Sequence, residues 1–333
     1  MLLRDRTIDD RKPLVLIDGI ISITQTLIDV CSYVRGHDSV GEDDFLENYL
    51  KPALIQLGVT GYAEDVFGNI YVHSNSGVLY AAHIDTTQSR NKLETRQPVV
   101  LDGNTLGVPK GTGSVLGADD GVGIVTILWL LSNKVDIGAI FLRGEEVGLK
   151  GASHAVEHCS EWLSGFNMCI EVDRAGTNEV ITHQTTGRCA SDKFAENLAA
   201  QLGMGHIPSP NGVFTDNSLF NMIPECVNLA AGYESQHSER EVCDVAYVNK
   251  LLEGLLLVDY TKLGNHRTEG DDEVYEDYYY YHDYLGDNLV DDDAPFETPE
   301  DAEEYIINNL EAVALYLYGN YTTPRDIARA VAL

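Results

Sequence analysis

Four short, mostly apolar runs constrain the fold of this chain more than any other feature of its sequence. They span residues 78–82, 139–142, 168–172 and 227–231. Runs of this length and composition are typical of β-strands that are buried on both faces. Stretches with helical spacing of apolar residues lie at 121–131, 190–202 and 244–263. Strands that alternate with helices predict an α/β fold, with a largely parallel mixed sheet sandwiched between helices.

The N-terminal part of the chain predicts two further helices and no export signal. Apolar residues recur at helical spacing over residues 17–33 and again over 43–57, where Gly58 ends the pattern. The first residues mix both charges and lack the apolar core of a signal peptide, and the longest apolar run is too short to span a bilayer. The six cysteines form no CxxC pair, which favours buried free thiols. We expect a cytoplasmic protein with no membrane partner.

The charge of the chain argues against a nucleic-acid partner. It has 53 acidic and 22 basic side chains, a formal net charge of −31. Binding to nucleic acid or to an anionic membrane surface depends on Lys and Arg, so both are excluded as partners. Residues 268–324 contain 17 acidic and no basic residues, so they carry −17 of this charge and the other 276 residues carry −14. Most of the chain is therefore an ordinary acidic globular domain.

Polar side chains follow the first two predicted strands and open a predicted helix. His83 and Asp85 follow the first strand, and side chains two positions apart point the same way on an extended chain. Asp119 and Asp120 open an apolar helix, and Glu145 and Glu146 follow the second strand. Each pair also has a structural interpretation: a surface or core histidine, a helix cap, or a solvated loop. Ligands bind such sheets beyond the carboxyl ends of the strands, so we expect these side chains to converge.

Two more elements deliver candidates to the same edge. Asp173 ends the third strand and is followed by Arg174, and the last strand leads to a loop that contains His237. A single loop histidine is a weak signal. Five separate elements that each bring a His, Asp or Glu to a strand end predict a site for converging metal ions.

In this order the motifs resemble those of a known family, the co-catalytic di-zinc exopeptidases. The motifs are AAHIDTT, LGADDGVG, RGEEVGLKGA, EVD and QHSERE. The family includes bacterial leucyl aminopeptidases, glutamyl aminopeptidases and bacterial tripeptidases, and the resemblance covers about residues 14–263. It implies two divalent metal ions per chain, with zinc favoured and manganese or cobalt as alternatives.

The same resemblance assigns roles to individual residues. His83, Asp119 and Asp173 would hold one ion. Asp119, Glu146 and His237 would hold the other, so Asp119 would bridge the two. Asp85 would support His83, and Glu145 would be the general base.

The spacing of the motifs distinguishes this chain from other branches of the family. Only 64 residues separate Asp173 from His237, where deacetylase-like and carboxypeptidase-like members insert a lid or dimerisation domain of about a hundred residues. Glutamyl aminopeptidases insert a domain between the first two motifs, whereas here Asp85 and Asp119 are 34 residues apart. The chain is similar to the compact aminopeptidase branch without a lid domain, and the missing dimerisation domain favours a monomer.

Two residues are candidates for substrate binding. The segment 214–220 resembles the Ser-Asp-His segment of that branch, but Thr215 and Asn217 replace its serine and histidine, and only Asp216 carries over. The alternative is that Thr215 or Asp216 caps a helix. Arg174 is the second candidate for the substrate pocket.

The resemblance predicts a hydrolase, and it divides the chain into three parts. The favoured function is an aminopeptidase acting on small peptides. The alternatives are a dipeptidase, carboxypeptidase or deacylase with the same site, or a catalytically silent binding protein related to the transferrin receptor. Residues 1–264 would form the metallopeptidase domain, 265–298 an acidic Asp/Tyr-rich loop or partly disordered insertion, and 299–333 a closing helix and tail.

Overall fold

The computed structural model describes residues 12–59, 61–87, 94–185 and 187–267, which all lie in one compact unit, residues 1–274. The strands are β1 (Leu16–Ile17), β2 (Ile20–Ile21), β3 (Ala63–Glu64), β4 (Ile70–Val72), β5 (Val78–His83), β6 (Val100–Asp102), β7 (Thr105–Gly107), β8 (Gly138–Leu142), β9 (Met168–Arg174), β10 (Glu179–Ile181), β11 (His183–Gln184), β12 (Gly187–Arg188), β13 (Ile207–Ser209), β14 (Glu225–Ala230), β15 (Tyr233–Glu234) and β16 (Val242–Asp244). The helices are α1 (Ile23–Cys31), α2 (Val40–Phe45), α3 (Lys51–Gln56), α4 (Ala118–Ser132), α5 (Lys150–Leu163), α6 (Asp192–Leu202) and α7 (Val245–Leu256). A π-helical turn joins α2 to α3, and 3₁₀ turns lie at Asp216–Leu219 and Tyr260–Lys262.

An eight-stranded mixed sheet forms the centre of the fold. Its order is β13-β10-β14-β9-β5-β8-β4-β3. The four middle strands, β14, β9, β5 and β8, run parallel, whereas β4, β3 and β10 pair antiparallel with their neighbours. Every residue of β5, β8 and β14 is buried. The predicted largely parallel mixed sheet is confirmed, and its four central strands are the four apolar runs of the sequence.

Helices cover both faces of the sheet. Alternate residues of β5 enter two separate apolar clusters: Tyr80 belongs to the cluster that contains residues of α1, α4 and α7, and Leu79 to the cluster that contains residues of α5. This alternation follows from the two-residue period of a strand. The sheet is therefore sandwiched between helices, as predicted.

The predicted helix over residues 17–33 begins later than expected. Residues 16–21 form a small hairpin, β1 and β2, whose turn places Asp18 and Gly19 at φ 52° and 86°. The helix begins at Ile23, after Ser22, whose hydroxyl accepts the N–H of Gln25. The apolar spacing of this segment fits both a strand and a helix, and the left-handed turn decides between them.

Other differences concern elements at the edges of the fold. The second predicted helix, 43–57, corresponds to the helical run from α2 to α3, and the predicted helix 244–263 ends at Leu256, before a separate 3₁₀ turn. The sequence patterns missed α5 and the short antiparallel edge strands. A second sheet, with the order β15-β16-β7-β6, flanks the loop that carries His237.

Some predictions fall partly or wholly outside the described residues. The acidic segment and closing helix predicted over 265–298 and 299–333 lie there, except for residues 265–267. All six cysteines are described, and they are free thiols, five of them buried. In the ranges given above, no helix is long and apolar enough to cross a membrane.

Candidate metal centre and active site

The order of the parallel strands brings three candidate segments together. β9, β5 and β8 are adjacent and parallel, so their carboxyl ends meet at one edge of the sheet. His83 is the last residue of β5, and Asp173 is the second-to-last residue of β9. Glu145 and Glu146 follow β8 by three and four residues. The sheet edge is the ligand-binding edge expected for this topology.

Asp119 reaches the same edge from the start of α4. Gly117 precedes the helix in a left-handed conformation (φ 75°), and Asp119 and Asp120 keep non-helical backbone angles inside the first turn, joined by a cis peptide bond. Both carboxylates are buried. The irregular first turn carries the carboxylate of Asp119 towards the two candidate histidines.

Asp119 lies between the two histidines. Its Oδ1 is 2.9 Å from Nε2 of His83, and its Oδ2 is 3.0 Å from Nε2 of His237. Asp173 Oδ1 is 3.6 Å from the same nitrogen of His83, and Glu146 Oε1 is 3.2 Å from that of His237. The structure thus brings all five residues together as two groups, one on each oxygen of Asp119.

The donor set suits divalent cations. Asp119, Glu146 and His237 offer ligand atoms within 4.8 Å of one another, and so do His83, Asp120 and Asp173. Glu146 Oε1 is buried and has no hydrogen-bond partner although an imidazole nitrogen lies close to it. A buried carboxylate oxygen without a proton donor is costly unless a cation binds it. Mixed imidazole and carboxylate ligands suit zinc, manganese or cobalt.

In the metal-free protein, contacts with carboxylates raise the pKa of both histidines. Burial alone would lower the pKa of His237, but its close contacts with the carboxylates of Asp119 and Glu146 raise it to about 11. Burial likewise tends to lower the pKa of His83, but its contacts with Asp119 and Asp173 raise it. The metal-free fold therefore favours the protonated form of both imidazoles, and a bound metal ion would displace the proton.

Asp85 supports the site differently from the expectation. The Nδ1 atom of His83 lies 2.8 Å from the backbone carbonyl of Asp85 but 4.0 Å from its carboxylate. That carboxylate instead accepts the backbone N–H groups of Gly144 (2.7 Å), Glu145 (3.1 Å) and Glu146 (3.2 Å). Asp85 thus orients the histidine through its main chain and fixes the glutamate loop through its side chain.

The pKa of Glu145 is shifted in the direction expected of a general base. Burial raises the pKa of its carboxyl well above the ordinary value, and although His83 opposes this shift, the nearby Glu146 adds to it. A raised pKa brings a carboxylate closer to the range in which it accepts and returns a proton near neutral pH.

The two candidates for substrate binding differ in their surroundings. Asp216 is 1% exposed, and neither carboxylate oxygen has a hydrogen-bond partner. Thr215 stands at the N-cap position of the 3₁₀ turn, but its side chain makes no capping bond. Arg174 is engaged elsewhere, because its guanidinium pairs with Glu179 at 2.9 Å.

Three residues near the candidate ligands were not assigned this position from the sequence, and two of them, Tyr233 and Glu171, were not singled out at all. The Tyr233 hydroxyl donates to Asp173, with its oxygen 2.9 Å from Oδ1 and 2.8 Å from the backbone carbonyl. The Thr215 hydroxyl lies 3.0 Å from Asp173 Oδ2 and 2.7 Å from the buried Glu171. Glu171 lies two positions before Asp173 on the same strand, and this spacing is the signal that could have revealed it.

The fold, together with a match to a peptidase family model, identifies the protein as a metallo-exopeptidase. Residues 65–221 match the model of peptidase family M28. The matched segment contains His83, Asp119, Glu146 and Asp173 and ends before His237. The resemblance predicted from the sequence is confirmed. A search of curated proteins found no match.

Solved structures of similar fold support this assignment of the architecture. A tripeptidase from Staphylococcus aureus superposes with a TM-score of 0.58 at 16% identity, covering 70% of this chain and 96% of its own. An aminopeptidase from Bacillus cereus gives 0.57 at 14% identity, with 71% and 96% covered. An aminopeptidase from the archaeon Desulfurococcus kamchatkensis gives 0.53 at 16% identity, with 76% and 98% covered. The zinc-exopeptidase-like fold is confirmed.

The expectation of a monomer finds no support in these comparisons. A peptidase from Pyrococcus horikoshii of the same fold (TM-score 0.53, 15% identity, 71% of this chain and 98% of that one covered) can assemble into a tetrahedron or a large octahedral shell. A protein of this fold can therefore form large oligomers.

Proposed function

We propose that this protein is an aminopeptidase that removes N-terminal residues from small peptides with two bound divalent ions. The observation that carries the proposal is the division of Asp119 between two histidines, with one carboxylate oxygen at 2.9 Å and the other at 3.0 Å. A carboxylate shared in this way matches a bridging ligand. His83 and Asp173 would complete one metal site, and Glu146 and His237 the other.

The chemistry follows from the residues around this pair of sites. Two divalent ions bound here would polarise the scissile carbonyl and lower the pKa of an attacking water. Glu145 would take the proton of that water and pass it to the amine that leaves. Asp85 keeps Glu145 and Glu146 in place through the three backbone hydrogen bonds to their loop.

The excess of carboxylates supports a substrate with a free amino group. Glu145, Asp173 and Asp216 influence one another electrostatically, and Asp216 has two oxygens without a partner. An α-ammonium group is the cation that a peptide presents to such a surface, whereas a carboxypeptidase needs a basic group for the terminal carboxylate. Arg174, which would be suited to that task, is already paired with Glu179.

A substrate panel tests the proposal. Chelated full-length protein is reloaded with zinc, manganese or cobalt and given small peptides with free or acetylated N-termini. Cleavage of only the free-amino peptides, from the N-terminal end, is expected. Cleavage of acetylated peptides at their C-termini would establish a carboxypeptidase, and release of acetate a deacylase. Metal-loaded protein that hydrolyses neither set would favour the silent binding protein.

A further inference from the structure

A single peptide group next to Asp119 lies between two buried, oppositely charged side chains. The carbonyl of Gly117 accepts a hydrogen bond from Arg35 Nη2 at 2.8 Å. The N–H on the other side of the same peptide group, that of Ala118, donates to Glu241 Oε1 at 2.8 Å. The backbone that leads into Asp119 is therefore held from both sides.

Arg35 connects this peptide group to the strand end that carries His83. It is 0% exposed, and all three of its hydrogen bonds go to backbone carbonyls, those of Val30, Ile84 and Gly117, each at 2.8 Å. Ile84 lies between His83 and Asp85. One guanidinium thus joins the segment of the first histidine to the segment of Asp119.

Glu241 connects the same peptide group to the loop that carries the second histidine. It lies four residues after His237 and is 1% exposed. Its carboxylate accepts the N–H groups of Gly117 (2.9 Å), Ala118 (2.8 Å) and Asp119 (3.1 Å). The last of these bonds reaches the backbone of Asp119 itself.

We propose that Arg35 and Glu241 are positioning residues that set the affinity of the site for its metal ions by holding Asp119 between the two histidines. The inference rests on the proposed function. It adds two residues that touch no ligand atom and act through the backbone of the bridging carboxylate.

Arg35 and Glu241 fix the geometry of the backbone at an energetic cost. Burying a guanidinium and a carboxylate carries a large desolvation penalty, and apolar residues of similar size are often as stabilising. The benefit here is a fixed position for the non-helical backbone at the start of α4, which is left-handed at Gly117 (φ 75°) and non-helical at Asp119 (φ −83°, ψ 107°). Partners that orient metal ligands from outside the ligand shell typically contribute about 10- to 100-fold in metal affinity.

Glu225 provides a matched control. It is 0% exposed, and its carboxylate accepts the backbone N–H groups of Ser191 (2.7 Å), His266 (2.6 Å) and Arg267 (2.9 Å). It resembles Glu241 in burial and in the type of bond. However, it opens β14, so it lies at the opposite edge of the sheet from the metal ligands.

The test compares metal affinity with fold stability in the full-length chain. Wild type, Glu241→Gln, Arg35→Lys and Glu225→Gln are stripped of metal, and zinc affinity is measured by competition with a chromophoric chelator. The urea midpoint of each metal-free protein is measured separately. We expect Glu241→Gln and Glu225→Gln both to lower the midpoint. Only Glu241→Gln and Arg35→Lys should weaken zinc binding, by about 10- to 100-fold.

The possible outcomes separate the inference from the proposed function. Wild-type zinc affinity in folded Glu241→Gln and Arg35→Lys would overturn the inference, and so would an equal loss in Glu225→Gln. Arg35→Lys keeps the buried positive charge, so it carries the test if Glu241→Gln does not fold. A wild-type protein that binds no zinc, manganese or cobalt would instead refute the proposed function.

Discussion

Replacing Asp85 with Asn distinguishes between two roles for this carboxylate. Asn has nearly the same shape, so the side chain still fits the buried site. The amide oxygen can keep the two bonds that Oδ1 accepts, from Gly144 and Glu145. The amide nitrogen then faces the N–H of Glu146, where Oδ2 now accepts a bond of 3.2 Å. The bond from Glu146 is lost, and the bonds from Gly144 and Glu145 then go to a neutral oxygen instead of a charged one.

The size of the effect follows from these bonds. A hydrogen bond to a charged group contributes about 1.5–3 kcal/mol, and its loss leaves a donor unsatisfied. If about 2 kcal/mol of this is lost from the transition state, kcat/KM falls by about 30-fold. Zinc affinity should fall as well, because the lost bond holds the backbone of the proposed ligand Glu146, whereas His83 Nδ1 keeps its contact with the backbone carbonyl of Asp85 at 2.8 Å.

The assay measures turnover per bound zinc and zinc affinity in the same preparation. Asp65→Asn is the matched control, since its carboxylate accepts the N–H groups of Phe67, Gly68 and Asn69 in a comparable turn. That variant should lose stability and keep turnover per bound zinc. If Asp85→Asn loses zinc affinity by tenfold or more while turnover per bound zinc is unchanged, our account is wrong and the carboxylate supports His83.

Three further predictions concern the base, the pH dependence and a buried ion pair. Glu145→Gln should retain both metal equivalents by elemental analysis and lower kcat by about 100-fold or more; unchanged kcat would exclude it as the base. Metal-free protein should lose stability as pH rises between about pH 5 and pH 9. In the folded state burial raises the pKa of Glu241 from 4.5 to about 7. Contacts with carboxylates raise the pKa of His237 from 6.5 to about 11. The folded form then binds more protons than the unfolded one, so urea midpoints should fall with pH, and a rise would contradict this. Glu42→Gln should cost about 3 kcal/mol in urea unfolding, because it removes the charge that pairs with half-buried Arg143 at 2.6 Å; a loss below about 1 kcal/mol would show that the pair contributes little.

The central strands and the ligand-bearing segments could be predicted because their signals are local. Each buried parallel strand is a continuous apolar run, and the polar residue after it must lie at the sheet edge. His83 and Asp173 are ligand candidates of this kind. Asp119 follows from a similar local signal, a glycine and two carboxylates before an apolar helix.

The carboxylate of Asp85 does not bind His83 as expected, because the direction of a side chain also depends on residues that are distant in sequence. The spacing of His83 and Asp85 places both side chains on one side of the strand, which suggested a contact between them. The loop that follows the neighbouring strand β8 lies beside Asp85. It presents three consecutive N–H groups to the carboxylate, 59 to 61 residues further along the chain. The periodicity of the sequence cannot reveal hydrogen-bond donors that are so distant in sequence and that bind the carboxylate in place of His83.

Arg35 and Glu241 were missed for the same reason. Their contacts to Gly117 span 82 and 124 residues. Arg35 lies in a segment with no strand or helix of its own, between α1 and α2. Glu241 does belong to the last motif, but its distance from His237 in sequence says nothing about its bonds to the start of α4.

The charge of the site links metal binding to folding. The fold gathers Asp85, Asp119, Glu145 and Glu146 in a buried region, and the charge of Arg35 offsets only part of this excess. In the metal-free chain the pKa of His83 is raised by its contacts with carboxylates and that of Glu145 by burial, so the fold favours the protonated forms of both. Divalent ions would replace those protons. Metal removal should therefore make the fold both less stable and more sensitive to pH, so metal affinity and stability must be measured separately in any variant of the site.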